Sequence, residues 1–200
     1  MITKAIQKEI DNAIKDVWIH DICMEYGKGN LIKEASLQCS MYHHLKNRLS
    51  TVLEANSLYL YPEFYFKDLK YYADLAIVEM DMKKDTFYLC DRMTDVVAII
   101  ELKYDGGASQ TVSNYIKTDK TKIREYASLL PYNCQYYFGV IFETECEWLN
   151  WFDSRSTNNW AKGILTELNA GYQNKEMYFE VNSYNDMNYN NKKKKCNICF

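Results

Sequence analysis

The spacing of apolar and polar positions changes period several times along the chain, and each change marks an element. Residues 3–26 place apolar residues at helical intervals with charges between them, and Gly27 and Gly29 close that segment. Residues 31–55, LIKEASLQCSMYHHLKNRLSTVLEA, carry the strongest helical pattern in the chain. SLYLYPEFYF (57–66) and YYADLAIVEMD (71–81) are rich in aromatic and β-branched residues, as strands are. Asp81–Asp85 reads as a turn, and 87–94 fits either a short strand or one helical turn. DVVAIIELKY (95–104) is a strand closed by the turn signal Asp105-Gly106-Gly107. Helical periodicity returns over 110–130 and stops at Pro131. CQYYFGVIFE (134–143) reads as a buried strand, followed by a helix near 157–169 and a strand near 176–182. Residues 186–200, ending NYNNKKKKCNICF, read as a basic, mobile tail.

This order predicts an α/β fold: a central mixed β-sheet flanked by helices, with 1–185 as one domain. Strand 95–104 is expected at its centre, because it is apolar on both faces until its end.

At that end stand Glu101 and Lys103, two residues apart and so on one face of the strand. Asp74 interrupts the preceding strand in the same way. Buried carboxylates on neighbouring strands repel unless a cation lies between them, and a hard divalent ion suits an oxygen-only site. Lys103 is a second source of neutralising charge. On a helical projection of 31–55, Leu31, Ala35, Tyr42, Leu45, Leu49, Val52 and Leu53 share one stripe. Glu34 and Gln38 fall inside it, so both are predicted to face the core. In helix 110–130, Val112, Ile116, Ile123, Tyr126, Ala127 and Leu130 define the inner face. Asp119 lies within that face and Lys122 at its edge. Any one of these ionisable residues alone reads as part of a structural ion-pair network. Several together, with carboxylates in excess, point to a metal-dependent site.

The constellation resembles the PD-(D/E)XK, restriction-endonuclease-like nuclease superfamily. The resemblance rests on Asp74 in one strand, Glu101-Leu102-Lys103 ending the next, the upstream helical Glu34, and an αβββαβ order over about residues 31–143. The run Asp119–Tyr126 resembles the helix after the signature strand in small members. Ala73 stands where the family motif often has proline. The resemblance implies that Asp74 and Glu101 ligate Mg²⁺ or Mn²⁺ with the Leu102 carbonyl, while Glu34 holds a second ion or a water. It implies that Lys103 orients or activates water and stabilises charge on the phosphate. Lys122 or Lys120 would reach a substrate phosphate, Asp119 would orient a lysine, and Gln38 would lie near the substrate.

Composition bears on partners and compartment. The net charge of −3 argues against broad coating of nucleic acid through phosphate contacts. It leaves room for a site where a bound cation supplies local positive charge. No apolar stretch is long enough to span a bilayer, and the charged N-terminus lacks a signal-peptide core. Seven cysteines, an odd number without a framework, suit a reducing compartment, so the cytoplasm is expected. His43 and His44 fall off the core stripe, and His20 and Asp21 suit a solvated face. Cys196-x-x-Cys199 is half a zinc knuckle, and Lys192–Lys195 reads as a solvated basic run. Tyrosine is frequent, 18 in all, and strand packing accounts for most of it.

The expected activity is therefore phosphodiester hydrolysis by a Mg²⁺- or Mn²⁺-dependent nuclease, on DNA in preference to RNA. A homodimer or a partner protein would supply specificity. The rival readings are a non-catalytic nucleic-acid-binding or assembly subunit on the same fold, and an enzyme acting on RNA or a small phosphoester.

Overall fold

A computed structural model describes residues 2–106, 112–130, 133–147, 149–185, 187 and 189–198. Gly107, Pro131 and Cys199 lie outside them, as does the side chain of Val112. Seven strands form one mixed sheet in sequence order: β1 (Leu58–Phe66), β2 (Tyr71–Met80), β3 (Met93–Asp105), β4 (Gln135–Glu145), β5 (Leu165–Gln173), β6 (Glu176–Ser183) and β7 (Lys192–Lys195). β1, β2 and β3 form an antiparallel meander, β3, β4 and β5 run parallel, and β6 and β7 return antiparallel. An α/β protein with a mixed sheet between helices is thus present, and β3 lies inside the sheet as its apolar faces require.

One face packs on a long helical run. α1 (Lys4–Asp16) continues through a π-helical stretch, Val17–Ile22, into α2 (Cys23–Gly27). Thr3 caps its start, accepting a hydrogen bond from the Ile6 amide at 3.3 Å. Trp18 is fully buried there and donates its indole N–H to the Asn169 carbonyl. Gly139 on β4 permits this packing: a Cβ would lie 2.6 Å from Leu102 Cδ2 and 3.3 Å from Trp18. The other face packs on α5 (Val112–Leu129), which buries Ile116, Ile123 and Tyr126 as the helical period predicts.

The segment 31–55 is two helices, α3 (Glu34–Arg48) and α4 (Ser50–Ala55), joined at Leu49. The buried stripe is Leu37, Met41, Leu45, Leu49 and Leu53; Ala35 is exposed, and Tyr42 and Val52 are only half-buried. The expected stripe was phased on Leu31, which precedes the helix. With that phase corrected, Glu34 leaves the core: its side chain is 43% exposed at the first turn of α3. Gln38 is half-buried one turn on.

Two further expectations fail. The helix expected near 157–169 is instead one turn, α6 (Ser154–Thr157), followed by β5. Glu167 and Asn169 gave 165–173 a polar spacing unlike a buried strand, yet both are buried, where tertiary partners bond the Glu167 carboxylate and the Asn169 amide nitrogen. Glu167 accepts from the Phe152 and Trp151 amides, and Asn169 donates to the Leu149 carbonyl. The basic run Lys192–Lys195, expected in a mobile tail, adds β7 to β6. Lys195 pairs with Glu176 and Lys192 with Asp16, so opposite charge, not hydrophobicity, seats this edge strand. Among the described residues, no helix is long and apolar enough to cross a membrane.

Candidate functional site

Register brings the first two predicted carboxylates together. Leu75 pairs with Ile100 across β2 and β3, so the next antiparallel step sets Asp74 opposite Glu101. The Asp74 side chain caps β3, accepting the Leu102 amide at 2.6 Å. Glu101 is 1% exposed; its Oε2 accepts from the Lys122 ammonium at 2.7 Å. Among the described residues, its other oxygen, Oε1, is buried with no hydrogen-bond partner. Among the described residues the buried Tyr126 hydroxyl also lacks a partner at hydrogen-bond geometry, although it faces Glu101 closely enough that the carboxylate's charge and a weak side-chain contact with it add to burial in raising the phenol's pKa.

The electrostatics follow from this crowding. Burial pushes the Asp74 carboxyl up to about 6, against the Leu102 amide and the two lysines that favour its charged form. Burial, then the charge of Asp74, pushes Glu101 well above the ordinary carboxylate range, and Lys122 opposes them. Lys103 stands one strand position pair beyond Glu101 on the same face. Its ammonium lies 2.9 Å from Glu34 and 3.1 Å from Asp119. Burial works against its charge, but the two carboxylates outweigh burial and hold it above the usual lysine range.

Glu34, Asp74, Glu101, Lys103, Asp119 and Lys122 therefore meet at the C-terminal end of β3, where α3 and α5 converge. The Ser36 hydroxyl accepts the Lys33 amide at 3.1 Å and fixes the turn that presents Glu34. Gln38 joins at the rim, donating to the Asp74 carbonyl at 2.8 Å and to Glu63 at 2.7 Å. Two residues from Lys122 on the helix, Lys120 does not join: its ammonium bonds the Trp151 carbonyl and lies over the Phe152 ring. Glu34 reaches the cluster through its pair with Lys103.

Glu63 is a site residue that sequence reading missed. It lies on β1 opposite Asp74, between the pairs Pro62–Leu75 and Phe64–Ala73, with φ +47 in a left-handed conformation uncommon outside glycine. The available signal was Pro62, which marks a strand as an edge or a bulge. His43 and His44 lie on α3 away from the cluster; His43 contacts Asn47, and His44 lies 3.7 Å from Glu25.

Two opposed carboxylates, one with a free buried oxygen, and two bound ammonium groups can order a cation, a phosphate or a water. Among the described residues, no three or more His, Cys, Asp or Glu side chains are placed to hold a metal ion by themselves. No protein-family model, curated protein or solved structure matches the chain.

Proposed function

We propose that the chain is a Mg²⁺- or Mn²⁺-dependent nuclease that hydrolyses phosphodiester bonds, with DNA as its preferred substrate. The observation that carries this reading is the buried, unpartnered Oε1 of Glu101 opposite Asp74. Leaving such an oxygen unsatisfied costs about 1–3 kcal/mol or more, so it is a natural place for a ligand. The donor set fits a divalent ion. Mg²⁺ commonly uses one or two protein carboxylates and completes its shell with water and substrate oxygens, so a third protein carboxylate is not required. Asp74 and Glu101 would hold it, with the Leu102 carbonyl as a further oxygen. When bound, it would supply a hydroxide-like water and neutralise charge on the phosphate.

The chain's own groups have distinct tasks. Lys103 holds its proton tightly between Glu34 and Asp119, so it acts as a fixed cation beside the phosphate and not as a base. Asp119 and Glu34 orient it. Lys122 balances Glu101, and the Leu102 amide fixes the Asp74 rotamer. The order of α3, β1, β2, β3, α5 and β4 supports an αβββαβ, restriction-endonuclease-like core. Specificity in this reading comes from a second copy or a partner protein.

A second reading draws on the Lys122–Glu101 pair, which already neutralises one carboxylate. In that case the cluster is structural, and the chain is a non-catalytic binding or assembly subunit. Thermal unfolding with Mn²⁺ separates the two. A working site gains about 2.7 kcal/mol at an ion concentration a hundredfold above Kd, and Asp74→Ala removes the gain. Parallel incubations with duplex DNA, single-stranded DNA and RNA identify the substrate. No gain and no cleavage of any of the three by folded protein would leave only the subunit reading.

A further inference from the structure

The flank of α5 that carries Lys120 lines a second site. A hollow of about 250 Å³ opens between the helix and residues 152–160. Lys117, Thr121 and Arg124 stand along its helical side, all exposed and at the spacing of one helix face. Phe152 and Trp160 form the opposite wall, edge to face with centroids 5.8 Å apart, and Ser156 completes the rim. The Lys120 ammonium lies 5.0 Å from the centre of the Phe152 ring. Among the described residues, no carboxylate pairs with Lys117 or Arg124. Asp153, next to Phe152, is engaged by the Ser156 amide as the cap of α6.

In a chain of net charge −3, two exposed cations without counter-charge beside an indole suit a phosphate attached to an aromatic ring. A duplex would offer only its phosphates and keep its bases stacked, leaving the aromatic wall unused. A single strand uses both. We infer that this hollow holds one nucleotide unit of a single-stranded nucleic acid, its phosphate against Lys117 and Arg124 and its base against Trp160. The inference rests on the nuclease reading for its choice of nucleic acid, and it assigns that enzyme a strand-holding site on the far flank of α5 from Glu101.

The test is binding without cleavage: fluorescence anisotropy of a short labelled oligothymidylate, titrated in EDTA over a range of salt. The full-length protein should bind. Lys117→Ala with Arg124→Ala should weaken binding by about tenfold or more and flatten the log–log salt dependence by about 0.7, the share of the one phosphate that both side chains hold. Trp160→Leu should weaken binding by about fivefold or more, as loss of one stacked base does. Because Trp160 also packs on Phe152, the exposed double variant decides the matter if Trp160→Leu fails to fold. Equal affinity of wild type and double variant overturns the inference. Displacement of the oligomer by thymidine monophosphate at equal molar concentration also overturns it, since the ligand is then a free nucleotide. The two readings fail separately: cleavage without oligomer binding removes this site alone, and variant-sensitive binding without cleavage removes the nuclease alone.

Discussion

Two clusters of buried charge in this molecule are built on opposite terms. Asp11 and Lys15, one turn apart on α1, are both fully buried and lie 2.6 Å from each other. Lys15 also bonds Ser183 at 2.8 Å and Asn185 at 3.2 Å, which uses its three protons. The other Asp11 oxygen accepts from Tyr137 and Asn185, each at 2.8 Å. Burial lowers the lysine's pKa and Asp11 resists that shift. Nothing in this network is left over, and it ties α1 to β4 and to the chain after β6. The cluster at the end of β3 instead leaves Glu101 Oε1 and the Tyr126 hydroxyl unmet, and it opens at its rim, where Glu34 is 43% exposed. Complete satisfaction is the mark of a structural pair, and a surplus of acceptors is the mark of a site that waits for a ligand.

The comparison breaks most sharply on substitution. Asp11→Ala leaves an uncompensated ammonium in the core and should cost about 3–5 kcal/mol in urea unfolding. Because Asp11 lies away from the β3 cluster, the Mn²⁺-dependent stabilisation of whatever remains folded should persist. An Asp11→Ala loss below about 1 kcal/mol would show that satisfaction does not separate the two clusters.

A third buried carboxylate sharpens the rule through pH. Glu167 accepts the Phe152 amide at 2.6 Å, the Trp151 amide at 3.2 Å and Asn169 at 3.2 Å, yet burial still pushes its carboxyl from 4.5 up to about 7. A folded pKa above the unfolded one means that the folded state holds the proton longer. The group's stabilisation is therefore complete below about 4.5 and is lost as pH rises through about 7. The change is on the order of 3 kcal/mol. Glu167→Gln should flatten the unfolding free energy between those limits relative to wild type, and identical pH profiles would refute the assignment.

These cases show what the sequence can and cannot announce. Glu101 and Lys103 were legible because they break an apolar strand, a local violation that needs no knowledge of distant residues. Asp74 was legible for the same reason, and Asp119 and Lys122 by helical phase. Asp11 and Lys15 looked like ordinary charges of an amphipathic helix, because their partners Tyr137 and Asn185 stand 126 and 174 residues away. Glu167 and Asn169 hid β5 for a related reason: polar residues bonded to remote backbone imitate an exposed face. The π-helical stretch and the β7 pairing are likewise tertiary choices. Glu34 was placed correctly near the site but for a faulty reason, since its expected burial came from a stripe phased on a residue outside the helix.

The smallest expected effect asks whether the β3 cluster sacrifices stability for function. Asp74 accepts one amide but, among the described residues, has no direct ion pair, and it faces the buried Glu101. Asp74→Asn keeps the side-chain oxygen that accepts the Leu102 amide and removes the negative charge that faces the buried Glu101. At pH 8, where the aspartate is ionised, the variant should therefore be more stable than wild type by about 1 kcal/mol, the usual scale when an active-site strain is relieved. In Mn²⁺ the order should reverse, because only the wild type retains both carboxylates that hold the ion. Unfolding curves with EDTA and with Mn²⁺ check both halves. A variant less stable than wild type in EDTA would mean that Asp74 is a structural group like Asp11, and that its crowding with Glu101 stores nothing for a ligand to release.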